Sequence, residues 1–233
     1  MPSNFTWPVT YFLQEGRENL RECLKIVFAA AVEHNIPKIV IFTARGDGVS
    51  LAIQEYLVRD EYQRIKLVAV TFPQGKRFTD DEKRPVSLEI SEENLILFSQ
   101  HGVPIVRAHL PFDPISPFFK EYGMLGQDLS LVGSALNMFG GSMSLCVEAT
   151  VIGCDAGAIG IGEHVIAMTS DTAILVQAAP TSLMLSQLVI REILCKPAIL
   201  SIGRNEQGNR LLKDGTEQRE IADGSSDQKA LPK

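Results

Sequence analysis

The sequence predicts an α/β domain of the three-layer α/β/α sandwich type. Three observations lead there: apolar β-branched runs alternate with stretches of helical periodicity, the runs are continuous, and short glycine-containing bends separate the two. A continuous run such as Lys38-Ile-Val-Ile-Phe42 is what a strand buried on both faces of a parallel sheet requires. Helices must then cover both faces.

From Asn19 to His34 the apolar residues Leu20, Cys23, Leu24, Val27, Phe28 and Ala31 recur at spacings of three and four, which predicts a helix. The strand Lys38–Phe42 follows, then the bend Thr43-Ala-Arg-Gly-Asp-Gly48, a helix from Val49 to Arg59 and a strand from Ile65 to Thr71, one βαβ unit. The polar stretch from Phe72 to Pro85 reads as a long loop. Ser91 opens a helix that stops at His101-Gly102, where glycine supplies a left-handed turn. Pro104–His109 reads as a strand, and Pro111, Pro114 and Pro117 make the stretch to Gly126 irregular. Asp128–Phe139 has helical spacing, Gly140-Gly141 ends it, and Met143–Ala156 reads as a central buried helix. Val165–Met168 and Ala173–Gln177 read as strands about the tight turn Thr169–Thr172. A helix from Ser182 to Leu194 and a strand from Ala198 to Ile202 complete a single domain over residues 1–202. The polar segment 203–233 has too little to bury and is expected to be a mobile tail.

Composition narrows the function. The chain of 233 residues is 45% hydrophobic, enough for a sizeable core. A net charge of −6 and a pI near 5.3 argue against nucleic-acid or anionic-membrane partners, which need a basic footprint. Four cysteines without a CxxC pair argue against a disulfide scaffold and a zinc site. The start MPSNFTWPVTYF lacks the pattern of a signal peptide, and no apolar run reaches the ~18 residues of a membrane span. The expected setting is cytoplasmic.

Ligands of open α/β sheets bind beyond the carboxyl ends of the strands. In the bend after the first strand of the βαβ unit, Gly46 and Gly48 allow close backbone approach. Thr43, Arg45 and Ser50 add donors beside a helix N-terminus, a combination suited to a phosphate. The bend lacks the P-loop and GxGxxG signatures, and the alternative is a tight βα turn with Asp47 as helix cap. Beyond Thr71, Lys76 and Arg77 reach the far side of such an anion pocket and Phe78 offers a flat wall, or the loop is simply solvated. Glu148 and Asp155 share a face of the apolar helix at a spacing of seven. A buried carboxylate needs partners or a function, so Glu148 either meets a ligand or ties helix to loop. Asp155 reads as a cap of the turn Gly157–Gly162. The four histidines lack metal-ligand spacing, and Ser142, Ser144 and the cysteines show no nucleophile elbow.

Tyr11-Phe12, Gly16-Arg-Glu-Asn19, the strand–TARGDG–helix unit, Val70-Thr71 and the stretch Leu145-Cys-Val-Glu-Ala149 to Asp155-Ala-Gly157 together resemble a family of stand-alone proteins similar to the C-terminal α/β domain of pyruvate kinase. The resemblance runs over about Thr10 to Ile202. It implies a mixed five-stranded sheet with one antiparallel edge strand. It also implies no pyruvate kinase activity, because the catalytic barrel is a separate part of that enzyme and the chain has no room for it. The loop matching Thr43–Gly48 grips an effector's phosphate in many pyruvate kinases, and stand-alone relatives look like binders of flavin mononucleotide (FMN). The chain departs from the family at Arg45-Gly-Asp-Gly48, where a Ser-Gly-Glu-Thr type loop is usual, and at Thr169–Thr172, where the family has a longer glycine-rich turn.

The expectation is a binder of a phosphorylated small molecule, FMN first among candidates. The backbone of Gly46 to Ser50 holds the phosphate, Arg45 neutralises it, Lys76 and Arg77 form a rim, and Glu148 sits deeper. The alternatives are a flavin-dependent or phospho-sugar-acting enzyme with Glu148 as base, and a structural or regulatory homo-oligomer whose pocket Phe78 and Met168 fill. The apolar helix Asp128–Phe139 points to self-association.

Overall fold

Alternating faces of the central strands feed two separate apolar cores. Ile39 and Ile41, Leu67 and Ala69, and Ile166 and Met168 point to one side; Val40 and Phe42, Val68 and Val70, and Val165 and Ala167 point to the other. A sheet apolar on both faces must be covered twice. In the computed structural model, which describes residues 8–79, 85–112, 129–198, 201–204, 210–212 and 217–218, it is.

The strands are β1 Thr10–Phe12, β2 Lys38–Phe42, β3 Lys66–Thr71, β4 Arg77–Thr79, β5 Pro85–Ser87, β6 Ile105–Arg107, β7 His164–Met168, β8 Ala173–Gln177 and β9 Val189–Pro197. The helices are α1 Leu20–Glu33, α2 Asp47–Ala52, α3 Glu92–Gln100, α4 Ser130–Asn137, α5 Met143–Asp155 and α6 Met184–Gln187. Helix α2 continues as a wider π turn over Ile53–Leu57. Helices α1, α2 and α3 pack on one face through Leu24, Val27, Phe28, Val49, Ala52 and Phe98. Helix α5 covers the other face, buried from Met143 through Cys154 except at Ser144 and Leu145, and α4 leans on it through Val132 and Leu136. The α/β/α sandwich is therefore present.

The main sheet has seven strands in the order β1-β9-β8-β7-β2-β3-β6. Every neighbouring pair is parallel except β7–β8 and β8–β9, so β8 alone runs against the rest. Two expectations change here. The sheet has seven strands rather than the five that the resemblance implies, with the expected strand at Pro104–His109 forming one edge as β6 and the unexpected, short β1 forming the other. The antiparallel strand is also interior, since the chain folds back tightly through Thr169–Thr172 and then returns as β9.

The expected helix Ser182–Leu194 is instead a short 3-10 turn at Thr181–Leu183, the single turn α6 and then β9, and the strand expected at Ala198–Ile202 lies earlier. The reason is visible in the register. Opposite the steps Ala173/Ile174 and Leu175/Val176 of β8, β9 advances two residues, from Cys195 to Ile193 and from Glu192 to Ile190. Each bulge resets the two-residue alternation. The apolar residues then fall at Val189, Ile190, Ile193 and Leu194, a spacing that imitates a helix.

Within the stretch expected as a loop, β4 and β5 pair as a hairpin. Of the segment 203–233 expected as a tail, residues 203–204, 210–212 and 217–218 belong to a small antiparallel sheet, β10 Ser201–Arg204, β11 Arg210–Leu212 and β12 Glu217–Gln218. The rest of it lies outside the described residues. Among the described residues no helix is long and apolar enough to cross a membrane.

Candidate functional site

After β2 the chain moves outward through α2 to β3 and through α3 to β6; it then crosses back over the other face to enter β7 on the opposite side of β2. The carboxyl ends of β2 and β7 thus lie at a topological switch point, where divergent connections leave a crevice. A cleft of about 360 Å³ opens there. Its walls are Leu20, Ile41, Phe42, Phe72 and Leu145, and its polar lining is Thr43, Ser142, Thr169 and Ser170, with Arg17, Arg45 and Asp47 as the charged members. Phe42 and Phe72 meet edge to face at 5.0 Å.

The bend after β2 is built by its own hydrogen bonds. Thr43 donates its N–H to Val70 O, extending the ladder with β3, and its Oγ1 accepts from the Gly46 N–H at 3.0 Å. Gly46 adopts φ 94°, which turns the chain into α2. A Cβ on Gly46 would stand 3.0 Å from Phe98 Cζ and 3.0 Å from Asn94 Nδ2, so this residue faces α3 and not the cleft. Asn94 holds the bend from that side: its Nδ2 donates to Arg45 O, and its Oδ1 accepts from Ser50 Oγ at 2.6 Å. Ser91 Oγ caps α3 by accepting from the Asn94 N–H.

The expected phosphate loop is accordingly split. Thr43, Arg45, Asp47 and Gly48 line the cleft, whereas Gly46 and Ser50 bind the bend to α3 and the Gly46 amide is satisfied internally. Thr71, at the end of β3, is wholly buried; its Oγ1 has no hydrogen-bond partner among the described residues, and it does not line the cleft, although the next residue, Phe72, does. Lys76 lies outside the lining, in a turn closed by its N–H to Pro73 O. The side chains of Arg77 and Phe78 fall outside the described residues. Glu148 is not in the lining either: buried on α5, it accepts the Phe112 N–H at 2.9 Å on Oε1 and ties that helix to the segment after β6. Its reading as a deep ligand contact gives way to the tie, because the side chain points into the core between α5 and that segment. Met168, offered as a pocket filler, is buried in the core on the α1 side. Asp155 accepts the Thr181 N–H and hydroxyl, so it caps the turn that leads to α6 rather than Gly157–Gly162.

Sequence reasoning missed Arg17. It stands in the 3-10 turn Arg17–Asn19 ahead of α1, about 30 residues from the bend, and pairs with Asp47 at 2.5 Å. No local motif announces it; only the packing of α1 beside α2 brings it to the cleft. With Arg17 and Arg45 against Asp47, the charged lining carries one net positive charge. Helix α2 adds its first-turn N–H groups, which have no partner within the helix.

Behind the cleft lies a group of thiols. Cys23 Sγ and Cys195 Sγ are 3.5 Å apart, Cys23 also reaches Thr169 O, and Cys146 reaches Thr172 O. The hydrogen bond with Cys195, then burial, holds the Cys23 thiol well above its ordinary pKa; burial first, then nearby charge, does the same for Cys146. Cys23 and Cys146 are thereby kept as neutral thiols. Among the described residues no group of three or more His, Cys, Asp or Glu is arranged to hold a metal. No family model matches the chain.

Proposed function

We propose that the chain binds a phosphorylated small molecule in the cleft at the ends of β2, β3 and β7, and that FMN is the first ligand to test. One observation carries the reading: at the switch point, an apolar-walled crevice of about 360 Å³ has two arginines, Arg17 and Arg45, at the first turn of α2. The volume lies within the common range of small-molecule sites, about 300–1,000 Å³. Guanidinium groups suit phosphate because they offer forked donors and keep their charge. In this reading Arg45 and the α2 amides hold the phosphate, Arg17 exchanges its partner Asp47 for it, and Phe42 and Phe72 flank the remainder of the ligand. FMN itself rests on the resemblance to the pyruvate kinase C-terminal domain-like family.

The enzymatic alternative is less well supported, since its base, Glu148, accepts the Phe112 N–H and is not among the residues that line the cleft. Self-association keeps a specific observation: Leu131 and Met138 of the α4 region are 76% and 82% exposed, beside the exposed Phe139. Native mass spectrometry of freshly purified protein reads retained ligand mass and subunit number together. Titration with FMN and with inorganic phosphate then compares wild type with Arg45→Ala. Loss of a charge-assisted hydrogen bond, about 1.5–3 kcal/mol, weakens binding roughly ten- to a hundredfold. Absence of binding to both probes, or equal binding by the variant, overturns the proposal.

A further inference from the structure

The turn between β7 and β8 contains a buried carboxylate that the proposed phosphate site does not use. Asp171 is 5% exposed, and a charge so placed is tolerated only when its oxygens are well supplied with donors. Its Oδ2 accepts the Gly16 N–H at 2.9 Å, and its Oδ1 accepts the hydroxyls of Thr172 at 2.9 Å and Thr169 at 3.4 Å. Thr172 Oγ1 in turn accepts the Ser142 N–H at 3.0 Å, while the Thr169 N–H closes the turn on Thr172 O.

These partners come from three places in the chain, and each is in, or adjacent to, a residue of the cleft wall. Gly16 precedes Arg17, Ser142 opens α5 and lines the cleft, and Thr169 and Ser170 line it as well. The backbone around the carboxylate is adapted to it. Gly16 adopts φ 136°, and at Gly141, φ 61°, a Cβ would stand 2.4 Å from Thr172 Oγ1 and 2.7 Å from Pro197 Cδ. Neither segment tolerates a larger residue there without shifting.

We infer that Asp171 is a positioning residue of the cleft: its carboxylate clamps the Gly16–Arg17 and Gly141–Ser142 segments to the β7–β8 turn and thereby aims Arg17 at the anionic group of the ligand. The inference rests on the phosphate-cleft reading. Asp171 itself touches no ligand in this arrangement; it acts through Arg17. An amide in its place has one acceptor oxygen and sets an N–H against one of the present donors, so Asp171→Asn breaks the clamp at nearly constant volume.

Amide hydrogen exchange on the full chain reads the clamp directly. In Asp171→Asn the Gly16 amide loses at least tenfold protection while Val27 and Phe28 in α1 keep theirs. Should that variant not fold, Thr172→Val removes the hydroxyl that joins Asp171 Oδ1 to the Ser142 N–H and leaves the Gly16 bond to Oδ2 in place; it exposes the Ser142 amide to exchange and leaves Gly16 protected. Titration with FMN and inorganic phosphate reads the coupling. Asp171→Asn weakens binding by about the same factor as Arg17→Ala, and the double variant binds no worse than either single one. Losses that multiply in the double variant, or undiminished Gly16 protection, overturn the inference. If wild type binds neither probe the cleft reading falls, and Gly16 exchange then decides alone: lost protection upholds the clamp, and retained protection removes it.

Discussion

Gly46 carries the tightest constraint at the bend after β2. Its φ of 94° lies in the left-handed region, and its Cα faces Phe98, Asn94 and Ile90 so closely that a methyl group fits only if those side chains give way by a few tenths of an ångström. Backbone strain and overpacking each cost about 1–3 kcal/mol when a side chain is forced into such a place. Gly46→Ala therefore lowers stability by roughly 1–3 kcal/mol, seen as an earlier midpoint in urea. An unchanged midpoint means the bend relaxes without cost. The glycines of this bend were legible in the sequence as a turn requirement. That Gly46 serves the α3 contact and Gly48 the cleft was not, because the distinction depends on which way each Cα faces after folding. Glu148 teaches the same thing: a carboxylate in an apolar helix is conspicuous in sequence, but its partner, the Phe112 amide, is 36 residues away.

At the level of elements, the cleft is framed by ties between segments distant in sequence. The turn after β3 is held by Glu89, whose Oε1 accepts the Gly75 N–H at 2.7 Å and whose Oε2 lies 3.0 Å from the Arg107 guanidinium at the end of β6. The Gly75 hydrogen bond holds its carboxyl below the usual glutamate value; desolvation opposes it, and Arg107 adds to the lowering. A lowered folded pKa means the tie contributes fully above the unfolded value of about 4.3 and fades as pH falls through the lower folded midpoint. The stability difference between wild type and Glu89→Gln, measured by denaturant melts, is accordingly constant near neutrality and shrinks on acidification below about pH 4. A difference independent of pH from 7 to 3 contradicts the tie. Most elements were readable from periodicity: α1, β2, β3, α3, α5, β7 and β8 all lie within a few residues of the expected spans. Strand β9 failed because two bulges destroy the two-residue alternation on which strand recognition depends. Strand β1 has three residues and no pattern of its own; its place depends on β9 being beside it.

Across the whole molecule, two cores on either side of one sheet leave all four cysteines buried, and the pKa of Cys154 is raised by burial as well. Since the thiolate is the reactive form, and burial disfavours it, the folded protein resists thiol reagents. At pH 8 a chromogenic disulfide reagent in excess labels native protein slowly, at a rate set by opening of the structure, and labels four thiols at once in denaturant. Fast labelling of native protein would mean that the core around Cys23, Cys146 and Cys195 is more open than its geometry.

By itself the sequence determined the layer architecture, the position of most strands and the location of a donor-rich bend at a strand end. Those properties follow from local periodicity, β-branching and glycine, all of which act within a few residues. Only the tertiary structure decided the order of the seven strands, the antiparallel β8 in the interior, and the membership of the cleft. Arg17, Ser142 and Ser170 meet there from three distant segments because strand pairing and helix packing bring them together, and no spacing in the chain encodes a contact made at that range.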